Sequence, residues 1–150
     1  MIMLRALVGA CCAASMMMTG LPAVAQAAGA AGAVDATRLR AADSAANAGQ
    51  WMSYGRDYSE QRFSPLKDIN VGNINRLGLT WYADLAERGG SYETTPVVVD
   101  GEVFVTAPWS KVYAFDGKTG RQLWKYDPKV PGEWAVKLCC GIVNRGVSSS

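Results

Sequence analysis

The stretch from residue 96 to 126 constrains this chain more than any other feature: short β-prone segments are cut by turn signals, with no helical period between them. Pro96-Val97-Val98-Val99 is followed by Asp100-Gly101 and then by Val103-Phe104-Val105-Thr106. An Asp-Gly pair tolerates the positive φ angles of a tight primed turn, so the two segments predict a hairpin. Lys111 to Phe115, a Gly-containing turn from Asp116 to Gly120, and Gln122 to Tyr126 continue the rhythm. Upstream, Leu77 to Leu85 alternates apolar and polar residues loosely enough to predict one more strand. Strands recurring about every eight to twelve residues predict an antiparallel meander, the content of one propeller blade or part of a sandwich.

Composition narrows what such a meander does. The 150 residues hold 15 Lys plus Arg against 13 Asp plus Glu, a balance that excludes a polybasic nucleic-acid binder and an acidic tail. There is no histidine. That removes the commonest general base, every Ser-His-Asp or Cys-His arrangement, and imidazole metal sites. Chemistry here has to come from carboxylates, from a cofactor, or from residues outside this sequence.

Residues 1–27 read as an address label. Arg5 precedes an apolar and small-residue run from Ala6 through Met18, a break at Gly20 and Pro22, and the small-residue exit Ala25-Gln26-Ala27. This is the order of a cleavable secretory signal, so we expect cleavage after Ala27 and a periplasmic product. Cleavage removes Cys11 and Cys12, leaving Cys139 and Cys140 as the two cysteines of the mature chain, in an oxidising compartment. Residues 28–48, rich in alanine with scattered charge, predict a weak helix or a disordered leader without a site.

Within the meander, Ala114, Asp116, Thr119, Gly120 and Trp124 occupy every fixed position of the pattern A-x-D-x-x-T-G-x-x-x-W. Asp116 and Thr119 suit bonds to turn amides, Gly120 suits a left-handed residue, and Trp124 supplies a large flat surface on the next strand. On these residues alone an ordinary hairpin with a core tryptophan is the competing reading. The pattern resembles the blade-docking motif of the eight-bladed quinoprotein dehydrogenases. A lone blade cannot bury both of its faces. We therefore expect an all-β, eight-bladed β-propeller of which residues 49–150 hold the first blade and the start of the next, an amino-terminal piece that folds poorly if made alone.

The adjacent cysteines admit three readings: buried thiols, ligands to a soft metal, or a disulfide between neighbours. Consecutive Cα atoms are about 3.8 Å apart, closer than the roughly 4.4 to 6.8 Å usual for a disulfide, so a bond between them closes a small strained ring. It would close almost no loop and add almost no entropic stability. The run Leu138-Cys-Cys-Gly-Ile-Val-Asn-Arg-Gly-Val147 is similar to a segment of the pyrroloquinoline quinone (PQQ) dependent alcohol dehydrogenases of the methanol/ethanol family. Trp51 to Leu66, Tyr92 to Gly101 and Trp124 to Pro128 resemble the same family's first-blade entry, first inner strand and strand exit. Gly141 departs from it, standing where many relatives have Asp.

The resemblance implies that Cys139 and Cys140 form a vicinal disulfide against one face of the planar cofactor, that Glu93 lies at the cofactor edge, and that Arg145 contacts its polar oxygens. A guanidinium suits a tricarboxylated quinone because it keeps its charge and presents a planar fork. Asn144 is expected to hold the loop by side-chain to backbone bonds. The implied reaction is PQQ-dependent oxidation of a primary alcohol, ethanol-like, to an aldehyde, with Ca²⁺ or a lanthanide as Lewis acid and an Asp as base. Neither the metal ligands nor that Asp match any position here, so no catalytic residue and no metal ligand is assigned. Electrons are expected to pass to cytochrome c or ubiquinone; a haem c domain further along the chain and a membrane-associated partner subunit stay open. Two other classes compete: a non-enzymatic propeller scaffold, which has no reason to keep Glu93, the cysteine pair and Arg145 together, and a PQQ sugar dehydrogenase, which lacks the pair in this context.

Overall fold

The computed structural model describes residues 32–85, 87 and 89–148. The signal peptide assigned to residues 1–27 lies outside them. Four strands, β1 (Val97–Val99), β2 (Glu102–Ala107), β3 (Lys111–Asp116) and β4 (Gln122–Tyr126), form one antiparallel sheet in the order β1-β2-β3-β4. The hairpin expected at Asp100-Gly101 is present: both residues have positive φ, 53° and 82°, and Val99 pairs with Glu102 across the turn. Pro108 to Ser110 link β2 to β3, with Trp109 and Ser110 in the left-handed region.

The turn from Asp116 to Gly120 forms as its residues dictate. One Asp116 carboxylate oxygen accepts from the amides of Lys118 and Thr119 and from the Thr119 hydroxyl, and Gly120 takes a φ of 72°. Those bonds to Thr119 hold the Asp116 carboxyl below the usual carboxylate range. Trp124 emerges on β4 across from Ala114, which is fully buried, while Trp124 itself remains 45% exposed beside Phe104, with ring centroids 5.9 Å apart.

Paired residues share a face of the sheet. On one face Val97 and Val99 pack with Val34, Ala42 and Met52, joined by Leu39, Phe104 and Val147. On the other, Ala107, Tyr113 and Phe115 pack with Trp81, Leu85 and Val105. Of the two readings of residues 28–48, the described part shows the short helix, and the first cluster adds that Val34 and Ala42 belong to the core. From Gly32 onward the leader is built into the core: Asp35 caps a short helix α1 (Ala36–Arg40) by accepting from the Arg38 amide at 2.7 Å. Arg38 then grips Asp100 with both guanidinium nitrogens. Of the leader's side chains, Val34 and Ala42 are buried, and a reading by charge and mean hydropathy does not mark out these two.

Leu77 to Leu85 is not a strand. It crosses the second face without a ladder partner, held instead by side chains: the Trp81 indole donates to the Gly117 carbonyl at 2.9 Å, and the Tyr113 hydroxyl oxygen lies 3.2 Å from the Leu85 carbonyl oxygen. Trp81 stacks on Phe115 and covers Gly120 so closely that a Cβ there would lie 2.6 Å from the indole. After Tyr126 the chain has only a 3-10 segment, Gly132–Lys137, before the cysteines.

Candidate functional site

The segment from Ile142 to Val147 returns to the sheet at the open end of the β1-β2 pair. Beyond Val97 the ladder between β1 and β2 stops, and the returning segment accepts from backbone amides on either side of the gap. The Ile142 carbonyl accepts from the Trp109 amide at 3.0 Å, and the Arg145 carbonyl accepts from the Thr95 amide at 3.1 Å. The Asn144 side chain accepts from the Gly146 amide at 3.0 Å, the loop-holding bond expected of it.

This docking brings two of the anticipated site residues together. Glu93 and Arg145, far apart in the chain, form an ion pair with Arg145 Nε 3.4 Å from Glu93 Oε2. Both side chains are open, Arg145 at 71% and Glu93 at 42% exposure. An exposed pair of this kind contributes little to stability. Arg145 also lines a cleft of about 290 Å³ with Tyr54, Thr95, Val97 and Val147, a place better suited to meeting a ligand.

Cys139 and Cys140 are exposed free thiols whose sulfurs lie 3.1 Å apart. The disulfide implied by the resemblance is not formed in this structure. The pair sits on a turn that ends at Gly141, whose φ of 81° is a left-handed value. Glycine adopts that value without strain.

A second charged cluster has no counterpart among the sequence-based candidates. Glu87 binds Lys111 at 2.5 Å, Lys125 at 2.6 Å and the Tyr113 hydroxyl. Hydrogen bonds from Lys111, then Lys125 and Tyr113, pull the Glu87 carboxyl down to about 2. The same contacts raise Lys111 and Lys125 above the ordinary lysine value, and burial raises Tyr113. The cluster pins the segment that runs on to Glu93. Its signal was in the register: Lys111 and Tyr113 alternate on one face of β3, and Lys125 is the cross-strand partner of Tyr113. Three such polar ends on one face call for an anion.

Residues 51–150 match the family model described as PQQ, glucose/ethanol/alcohol dehydrogenase, beta-propeller domain. The chain belongs to this family. Among curated relatives, the dehydrogenase subunit of the alcohol dehydrogenase (quinone) of Gluconobacter oxydans is 47% identical over 112 residues, which is 75% of this chain and 15% of that protein. Among solved structures, the quinohemoprotein alcohol dehydrogenase of Comamonas testosteroni is 45% identical with a TM-score of 0.71, covering 83% of this chain and 18% of that one. A europium-containing methanol dehydrogenase is 32% identical with a TM-score of 0.57, over 69% of this chain and 18% of the other. The chain thus spans less than a fifth of the length of these relatives, and its four-stranded sheet is a blade of the family's propeller.

Proposed function

We propose that this chain is part of a PQQ-dependent dehydrogenase that oxidises primary alcohols, ethanol-like in size, to aldehydes. The observation that carries the reading is the exposed Glu93–Arg145 pair, joined where the segment that follows the adjacent cysteines docks on the sheet, with Arg145 lining a cleft. The donor chemistry fits the cofactor. Arg145 offers a planar cationic fork to carboxylate and quinone oxygens, Glu93 holds that fork in place, and the two sulfurs offer a soft, polarisable surface for a flat ring system. When bound, the quinone supplies the two-electron acceptor that no side chain here provides. A fixed positive charge beside it favours the charge that develops on reduction.

Further parts of the reading are supported by the relatives' names. An alcohol dehydrogenase (quinone), dehydrogenase subunit, favours ubiquinone as electron acceptor and a partner subunit beside it, and a 1-butanol dehydrogenase (cytochrome c) favours cytochrome c as the other acceptor. The europium-containing relative favours a Ca²⁺ or lanthanide ion as Lewis acid, and the quinohemoprotein relative favours a haem group in the whole protein. The metal ligands and the base are assigned to no residue among 1–150. The signal-like start supports export to the periplasm, where a disulfide donor would take two hydrogens from Cys139 and Cys140 and be reduced to its dithiol.

The test is equilibrium uptake of PQQ by the full-length protein with Ca²⁺ or a lanthanide present, followed by dye reduction with ethanol. Arg145→Ala should weaken PQQ binding about tenfold or more while the unfolding midpoint is unchanged. Lack of uptake by the unaltered protein, or turnover with sugars alone, overturns the assignment. Mass spectrometry of the unreduced protein should find the 139–140 peptide lighter by two hydrogens; free thiols would remove the bridge from the proposal.

A further inference from the structure

Thr106 is fully buried, the sole polar residue besides Arg56 in the interior of the described residues. It stands at the end of β2, where the β1 ladder has stopped. In place of a strand partner, its amide donates to the Thr94 hydroxyl oxygen at 3.1 Å. The two threonine hydroxyls are 3.0 Å apart, and the Thr106 hydroxyl lies 3.2 Å from the Asn144 carbonyl. One proton arrangement satisfies every group. A carbonyl only accepts, so the Thr106 hydroxyl donates to Asn144, and the Thr94 hydroxyl, already accepting from the Thr106 amide, donates to the Thr106 oxygen.

Each end of this chain of bonds is the immediate neighbour of a site residue. Thr94 follows Glu93, and Asn144 precedes Arg145. The bond from the Thr95 amide to the Arg145 carbonyl closes the same junction from the other side. A buried hydroxyl with two partners fixes their separation more tightly than the exposed Glu93–Arg145 ion pair can, because the low-dielectric interior strengthens its bonds and penalises their loss.

We propose that Thr106 is a positioning residue for the ligand-facing pair: through Thr94 and Asn144 it sets the spacing between the Glu93 carboxylate and the Arg145 guanidinium. It touches no ligand itself. The proposal rests on the reading of Glu93 and Arg145 as the PQQ-facing pair. Replacement by valine keeps the shape and removes the hydroxyl, leaving the Asn144 carbonyl and the Thr94 proton without partners; the loop carrying Arg145 is then free to shift. Serine keeps the hydroxyl.

The experiment measures PQQ affinity by fluorescence titration and the visible absorption of the bound cofactor, in the full-length protein, for Thr106→Val, Thr106→Ser, Arg145→Ala and the Thr106→Val/Arg145→Ala pair. Thr106→Val should weaken binding about tenfold and shift the absorption band, and Thr106→Ser should restore both. In the Arg145→Ala background, Thr106→Val should add nothing, since the group it positions is gone. A purely structural threonine would give losses that add in the double variant, which overturns the proposal. So does PQQ binding in Thr106→Val equal to that of the unaltered protein. Should Thr106→Val fail to fold, Thr94→Val cuts the same chain from its half-buried end, and the same additive or non-additive outcome decides. Absence of PQQ uptake by the unaltered protein would instead sink the cofactor reading, and this role with it.

Discussion

At the scale of single residues, charge is spent most heavily at Glu87. A carboxyl lowered from 4.5 to about 2 in the folded state contributes stability that is complete above pH 4.5 and lost as pH falls through 2. Glu87→Gln should therefore lower the thermal unfolding midpoint of the full-length protein at neutral pH and flatten the decline between those two values. Melting curves collected across that range check it, and an acid limb as steep as before would show that other carboxyls carry it. The charged partners were legible only in part. Lys111 and Lys125 were visible as strand residues, but nothing in the sequence marks which carboxylate reaches them, because Glu87 arrives from a segment without regular structure. Arg145 and Glu93 were legible through the resemblance, and the structure adds the contact between them.

Among the elements, the sheet was readable and its coverings were not. The β-branched runs and the Asp100-Gly101 and Asp116 to Gly120 turns define local geometry, and local geometry suffices for a meander. Leu77 to Leu85 shows the limit: alternation describes which side chains seek cover, while a strand also needs a backbone partner, and here Trp81 takes its place by capping the Gly120 turn. Two glycines separate these effects. Gly101 and Gly120 both have positive φ, but a Cβ at 101 meets open space and one at 120 meets Trp81. Gly101→Ala should cost about 1 kcal/mol, the backbone penalty alone. Gly120→Ala should cost more than about 2 kcal/mol, because crowding against the indole adds to it. Urea unfolding of both variants checks the order, and equal losses would mean that the Trp81 contact is unimportant.

At the scale of the whole molecule, the described residues leave large apolar side chains open on the stretch that precedes the sheet, with Phe63 at 67%, Leu79 at 81% and Tyr82 at 81% exposure. Trp124 adds to them from the sheet itself. A surface of this kind is at odds with an independent soluble domain. Residues 28–150 expressed alone should bind a hydrophobic dye strongly and unfold without a sharp transition, whereas the full-length protein should do neither; calorimetry beside dye fluorescence checks both. The blade is nonetheless tied at its start. Arg38 and Asp100 are 62 residues apart, and ribosomes extend a chain by about 5 to 20 residues each second. The first partner therefore waits about 3 to 12 s for the second to be synthesised, an interval in which Val34 and Ala42 lack the cover of Val97 and Val99.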